Sequence, residues 1–271
     1  MRFRVIFELN NSKFPIIYRN RFISFFKLAL EKENVLNYYY NAKKPKPFTF
    51  ALITNAKISN DNEKFRFFDY EIEMNYFILQ NKSLSLIFST YDYEFGVYIY
   101  NGILKIKEFK FSEEITLYPR KILLLNEPKF DNYEYQFKTI SPILIENKED
   151  KPILPSDENF ISEFNNFHRK IFESFNLTYE DVEIDFLSYR KVVVKHFLES
   201  FKEKTNKNYM FLTCFEGIFK IRGNPKVIEF LYKKGIGNRT SQGFGCVGLN
   251  STMFRWNEDT SEIFLSSSPF I

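Results

Sequence analysis

The chain has 271 residues, 44% of them apolar, enough for one large domain or two of ordinary size around real cores. No apolar run approaches the roughly 20 residues that cross a bilayer, and the start Met1-Arg2-Phe3-Arg4-Val5-Ile6 has no signal-peptide apolar region, so a soluble, cytoplasmic protein with no membrane partner is expected. Cys214 and Cys246 lack CxxC spacing and a neighbouring histidine, which argues against zinc and for a reducing compartment; no metal and no cofactor are expected.

The net charge of +4 conceals an uneven distribution, with residues 1–60 at +8, 61–130 at −2, 131–185 at −8, 186–249 at +8 and the remainder at −2. If the fold brings the two basic blocks together, they make one positive face and a negative back, the footprint of a protein that binds an anionic polymer such as nucleic acid. The alternative is a solvated surface with accidental clustering. The 34 Phe and 17 Tyr are spread along the chain, and ordinary packing is expected for most of them.

In chain order, Phe3 to Leu9 alternates as an opening strand. Arg19 to Lys32 places Phe22, Phe25, Phe26, Ala29 and Leu30 on one helical face. Lys43-Lys44-Pro45-Lys46-Pro47 cannot continue a helix, because proline lacks an amide donor and restricts its predecessor; it reads as an exposed basic loop feeding a strand over Phe48 to Thr54. Phe67 to Met74 and Tyr76 to Gln80 read as strands, Leu84 to Ile103 contains an ambiguous helical segment, and Lys105 to Leu117 alternates again. That order suits a β-α-β-β-α-β unit.

The pattern restarts after Pro119. Tyr133 to Ile145 reads as a strand interrupted at Ser141-Pro142, and Asp157 to Phe175 as a helix capped by Asp157 or Ser156. Val182 to Leu198 and Tyr209 to Arg222 read as strands, and Asn224-Pro225 opens a helix through Tyr232. Phe244 to Leu249 closes the chain as a strand. Two such units predict an α+β protein of two tandem ferredoxin-like domains, residues 1–125 and 126–271.

Five of the nine glycines lie between Lys233 and Leu249, with Lys233, Lys234 and Arg239 supplying positive charge and Thr240 and Ser241 hydroxyls. Glycine lets backbone N–H groups approach phosphate oxygens closely. Neither the mononucleotide P-loop spacing nor the dinucleotide fingerprint is present. The plainer alternative is a tight turn between the last helix and strand, which explains Gly235 and Gly237 but not Arg239-Thr240-Ser241-Gln242.

Gly235-Ile236-Gly237 followed, after Asn238 to Gln242, by Gly243-Phe244-Gly245 resembles the C-terminal signature of the CRISPR-associated repeat-RNA endoribonucleases, the sixth Cas family of the repeat-associated mysterious protein superfamily. Met1 to Val5, Pro45-Lys46-Pro47-Phe48-Thr49-Phe50 and Thr139-Ile140-Ser141-Pro142 also look like passages of that family, so the likeness covers residues 1 to about 250 and leaves out Trp256 to Ile271. The resemblance implies metal-independent cleavage of CRISPR repeat RNA in precursor transcripts, the 2′-hydroxyl attacking phosphorus to leave a 2′,3′-cyclic phosphate. It implies RNA contacts from Lys43, Lys44, Lys233, Lys234, Gly235, Gly237, Asn238, Arg239, Thr240, Ser241 and Gln242, with CRISPR repeat RNA and other effector subunits as partners of a monomer or homodimer.

The chain departs from the family at one telling place. Many members carry a catalytic histidine before the lysine-proline loop, where Tyr40 stands here, and no histidine precedes His168. Tyr40, Lys46 and, on a looser alignment, Lys27 are the catalytic candidates that the resemblance offers. A phenol of reference pKa about 10 is a poor base unless nearby lysines depress it, but it can orient the hydroxyl or act as an acid. Tyr40 could equally stack on a base or pack with Tyr38 and Tyr39, and Lys46 could be a solvated loop lysine. His168 and His196 read as structural, and Glu31, Glu33 and the Glu180 to Asp185 group as solvated faces. Rival functions are a repeat-RNA-binding effector subunit that is catalytically weak or inactive, and a ferredoxin-like protein with a nucleotide site.

Overall fold

The structure, a computed structural model, describes residues 1–40, 44–68, 70–197, 201, 205 and 209–250. The first unit threads β1 (Arg2–Leu9), β2 (Lys13–Pro15), α1 (Arg19–Lys32), α2 (Leu36–Tyr40), β3 (Phe48–Ile53), β4 (Lys57–Ile58), β5 (Glu63–Phe67), β6 (Tyr70–Met74), β7 (Tyr76–Ile78), β8 (Ser83–Thr90), α3 (Tyr93–Leu104), β9 (Phe109–Lys110) and β10 (Thr116–Leu124). The second contains β11 (Glu134–Thr139), α4 (Phe160–Ser174), β12 (Glu183–His196), β13 (Met210–Arg222), α5 (Pro225–Lys234), a short 3-10 turn (Thr240–Gln242) and β14 (Val247–Leu249). Among the described residues, no helix is long and apolar enough to cross a membrane.

The two main sheets have the orders β3-β8-β1-β10-β9 and β12-β13-β11-β14, with every pairing antiparallel. Each is the order that a β-α-β-β-α-β chain adopts when its two helices cover one face, so the expected pair of ferredoxin-like domains is present. All strands of the first sheet lie within residues 2–124 and all strands of the second within 134–249. Helix α1 buries Phe22, Phe25, Phe26, Ala29 and Leu30, the face its periodicity predicts, against Phe3, Phe7, Phe48, Phe50 and Phe88 of the sheet. Helix α5 starts where Asn224 caps it by accepting a hydrogen bond from the Lys226 amide, with Pro225 at the first position, where its missing N–H costs nothing.

Several expectations need correcting. The third core strand of the first domain is β8, not the segment Phe67 to Gln80, which instead supplies β6 and β7 of two small accessory sheets. Residues 84–90 are buried on both faces, and Ser83, Ser85 and Ser89 alternate with Leu84, Leu86 and Phe88, a period-2 pattern that marks a strand. The strand expected over Lys105 to Leu117 is displaced to β10, which accommodates Pro119 at an irregularity where Ile6 pairs with Lys121 and Phe7 with Pro119. Helix α4 begins at Phe160 with Asn159 at its cap position. The expected cap, Asp157, turns its carboxylate back to accept from the Leu154 amide.

Part of the acidic middle pairs with the second basic block: Glu134 meets Lys220 and Arg222, Asp185 meets Arg222, and Glu146 meets Arg239. Sequence blocks of opposite sign become cross-strand neighbours in one sheet, as the register Glu134↔Arg222 requires.

Candidate nucleic-acid interface

The catalytic candidates converge. The five-residue helix α2 ends at Tyr40, and its half-buried ring lies between Lys27 of α1 and Lys46 of the turn before β3; each Nζ is 5.0 Å from the ring centroid. Lys46 Nζ also donates to the Tyr39 carbonyl, so the lysine that follows the proline is held to the helix that precedes it. Burial pushes the Tyr40 phenol up to about 12, so neighbouring lysines do not depress it and it keeps its proton at neutral pH. Burial also lowers Lys46 below the ordinary lysine range. The cluster can therefore offer a phenolic O–H and two amines to an anionic centre, but no imidazole base. Lys44 is exposed beside it, and Lys43 lies outside the described residues.

The glycine-rich segment comes to the same end of β3. Thr49, three residues after Lys46, donates through Oγ1 to the Phe244 carbonyl at 2.8 Å. Arg19 Nε donates to the Gly243 carbonyl at 3.2 Å, and its guanidinium stacks over the Phe244 ring at 4.7 Å. Ser89 Oγ and Arg2 Nη2 donate to the carbonyls of Lys233 and Val247, both at 2.8 Å. The segment is thus the seam between the two domains. A Cβ at Gly235 (φ +95°) would come within 2.7 Å of Thr49 Cβ, and one at Gly243 (φ +85°) within 2.8 Å of the Phe50 ring.

That seam accounts for most of the residues expected to touch RNA. Lys233 is tied to Glu229 at 2.7 Å and Glu127 at 3.3 Å. Lys234 is 3% exposed, and burial lowers its amine to about 7, so it is not an exposed phosphate-binding cation. Gly235, Gly237 and Thr240 are buried. Asn238 Oδ1 accepts from the Glu146 amide, and Gln242 Oε1 accepts from His196 Nε2 at 2.9 Å. Arg239, in the left-handed region at φ +56°, and Ser241 remain half-exposed; Arg239 Nε is 3.5 Å from Glu146 Oε2, whose carboxyl burial pushes up.

Both histidines are internal. His168 Nδ1 donates to the Phe164 carbonyl while Nε2 accepts from the Gly237 amide, so the ring is neutral, and burial lowers it to about 3. His196 is lowered to about 4 by burial and then by Arg19. Sequence reasoning missed Arg2, Arg19, Thr49 and Ser89, which hold the seam. Only the tertiary approach of one domain to the other gives them that role.

Residues 125–249 match the family described as CRISPR associated protein Cas6, C-terminal. The CRISPR-associated endoribonuclease Cas6 1 of Methanocaldococcus jannaschii is 26% identical over 209 residues, covering 71% of this chain and 77% of that protein. Among solved structures, a Cas6-related gene product from Pyrococcus furiosus superposes with a TM-score of 0.69 at 18% identity over 92% of this chain and 98% of its own. A structure described as an RAMP protein binding different RNA substrates does so with 0.68 at 20% identity, over 93% and 100%. These structural likenesses establish a shared fold.

Proposed function

We propose that this chain, which resembles the Cas6 endoribonucleases and whose residues 125–249 belong to the Cas6 C-terminal family, binds CRISPR repeat RNA and cleaves it once per repeat. The reading is supported above all by the meeting of Lys27, Tyr40 and Lys46, each lysine 5.0 Å from the ring, beside the glycine-rich seam. In this mechanism the 2′-hydroxyl oxygen attacks the adjacent phosphorus and the 5′-oxygen leaves, giving a 2′,3′-cyclic phosphate. Lys27 and Lys46 neutralise charge on the non-bridging oxygens, a preorganised electrostatic role that needs no histidine. Tyr40, protonated at neutral pH, donates its proton to the leaving oxygen. The 2′-hydroxyl proton passes to solvent base, so turnover is slow.

The RNA path runs over exposed Lys44 and the half-exposed Arg239 and Ser241, not over the buried Lys234. Incubation of purified protein with repeat RNA in EDTA tests the reading. A cyclic-phosphate product that disappears in Lys46→Ala supports it. Tight binding without product would leave the RNA-binding subunit as the better account, and no binding at low salt would remove both.

A further inference from the structure

On the face of the first sheet away from α1 and α3, directly paired residues of β1, β8 and β3 share one side: Arg4 with Ile87, Ile6 with Ser85, Ile53 with Ser85. The second domain covers one end of this face, where Ala51 and Ile87 pack with Cys246. Towards the other end the face opens into a recess of about 190 Å³ whose wall includes Arg4, Thr54, Asn55, Asn81, Ser83 and Ser85. Among the described residues, no Asp or Glu lines it.

Arg4 is half-buried there. Its Nη2 donates to Ser85 Oγ at 2.8 Å, but its Nε, shielded from solvent, has no hydrogen-bond partner among the described residues. Arg2 of the same domain likewise keeps a buried Nη1 without a partner, although its Nη2 donates to the Val247 carbonyl and its guanidinium lies over the Tyr232 ring, and Arg19 is held by the Gly243 carbonyl and the Phe244 ring; what sets Arg4 apart is that it lines an open recess. A guanidinium withdrawn from water with an N–H unpaired is costly, and a buried unsatisfied donor of this kind calls for an explanation. A ligand carrying negative charge and several acceptor oxygens supplies the counter-charge that the half-buried guanidinium lacks, while the amides and hydroxyls of the wall provide further donors.

We infer that the Arg4 recess is a phosphate subsite, taking a phosphodiester of the bound RNA strand several nucleotides from the bond to be cleaved. The recess lies at the end of β3 opposite Lys46, and a six-residue strand spans about 20 Å, too far for one phosphate to serve both places. Contacts of this type set the register of the strand without reading its bases. The inference rests on the repeat-RNA reading above.

Filter binding of repeat RNA to unaltered protein and to Arg4→Gln, between about 50 and 200 mM salt, tests it. Arg4→Gln is expected to weaken binding several-fold and to flatten the dependence of log affinity on log salt by about 0.7, the contribution of one single-strand phosphate. Repeat RNAs carrying one neutral methylphosphonate at a time supply the second measurement: one linkage away from the scissile bond reproduces the loss with unaltered protein and has no further effect in Arg4→Gln. Should Arg4→Gln fail to fold, Asn81→Asp, which brings a carboxylate to the exposed rim, is expected to weaken RNA binding as well. Equal affinities and slopes in the folded variants overturn the inference. So does a site that takes inorganic phosphate through Arg4 while RNA binding ignores the substitution. Unaltered protein that fails to bind repeat RNA at low salt overturns the repeat-RNA reading itself, and the subsite with it.

Discussion

The amide of Gly237 donates a hydrogen bond of 3.0 Å to Nε2 of His168, tying the glycine-rich seam to the inner face of helix α4. That nitrogen must stay unprotonated to accept. A folded-state value near 3 against about 6.5 unfolded means that the unfolded chain binds the proton first, so stability present above about pH 6.5 is lost as pH falls towards 3. His196, near 4, behaves in the same sense. Each histidine is expected to cost about 2 kcal/mol between pH 7 and pH 5. Denaturant titrations at the two pH values check this, and His168→Gln, which keeps an acceptor for Gly237, should remove about half of the difference.

The seam glycines differ from interchangeable loop residues. Gly245 has φ +69°, and a Cβ there would be driven into the Ile236 carbonyl, with no side chain to yield. Gly245→Ala is expected to lower stability by about 3 kcal/mol or more, through strain and the lost approach of backbone to backbone. Unfolding midpoints in urea provide the measurement; a change under about 0.5 kcal/mol, typical of neutral surface sites, would contradict this packing.

Positive charge near the seam should divide into two classes by its effect on RNA. Lys44→Ala is expected to flatten the salt dependence of binding by about 0.7, as loss of one single-strand phosphate contact does. Lys234→Met should leave that slope unchanged and should not destabilise the fold, because it replaces an unpaired buried amine by an apolar chain of similar length. A Lys234→Met protein with a flattened slope would show that the lysine reaches RNA after all.

Cleavage should carry the signature of a site without imidazole. With the Tyr40 phenol near 12 and both histidines internal, no imidazole stands at the cluster among the described residues, so the single-turnover rate is expected to rise steadily from pH 6 to 9 without a histidine inflection. Lys46→Ala is expected to reduce the rate by about 10²- to 10³-fold, the usual loss for a transition-state electrostatic contact. Tyr40→Phe, which keeps the ring between the lysines, is expected to lose about 10²-fold if the phenolic proton is transferred. A pH profile with a plateau above pH 7 would point to a histidine acting at the site.

Much of the architecture was legible because it depends on near neighbours in the chain. Five apolar residues on one turn-spaced face define α1, Asn224-Pro225 starts α5, and Pro45 and Pro47 end any helix before β3. Lys27, Tyr40 and Lys46 came forward as a group from the family resemblance and not from local pattern. Strand β8 escaped local reading although Ser83, Ser85 and Ser89 alternate with Leu84, Leu86 and Phe88, because the expected segment ran on into the helix α3 that follows.

The glycine-rich segment marks the division between what the residues determine locally and what the tertiary fold decides. Its glycines demand positive φ and close approach, and that requirement is written in their chemistry whatever they approach. Whether the thing approached is a ligand or the other domain depends on contacts across about two hundred positions, such as Thr49 to Phe244 and Arg2 to Val247. Charge follows the same rule. A lysine counts as +1 wherever it stands in a sequence, but burial silences Lys234 and ion pairing occupies Lys233, while Arg4, unremarkable in its strand, lines a recess with one shielded N–H unpaired. Local periodicity is set by bond geometry over a few residues. Exposure and pairing are set by which distant surfaces exclude water from one another.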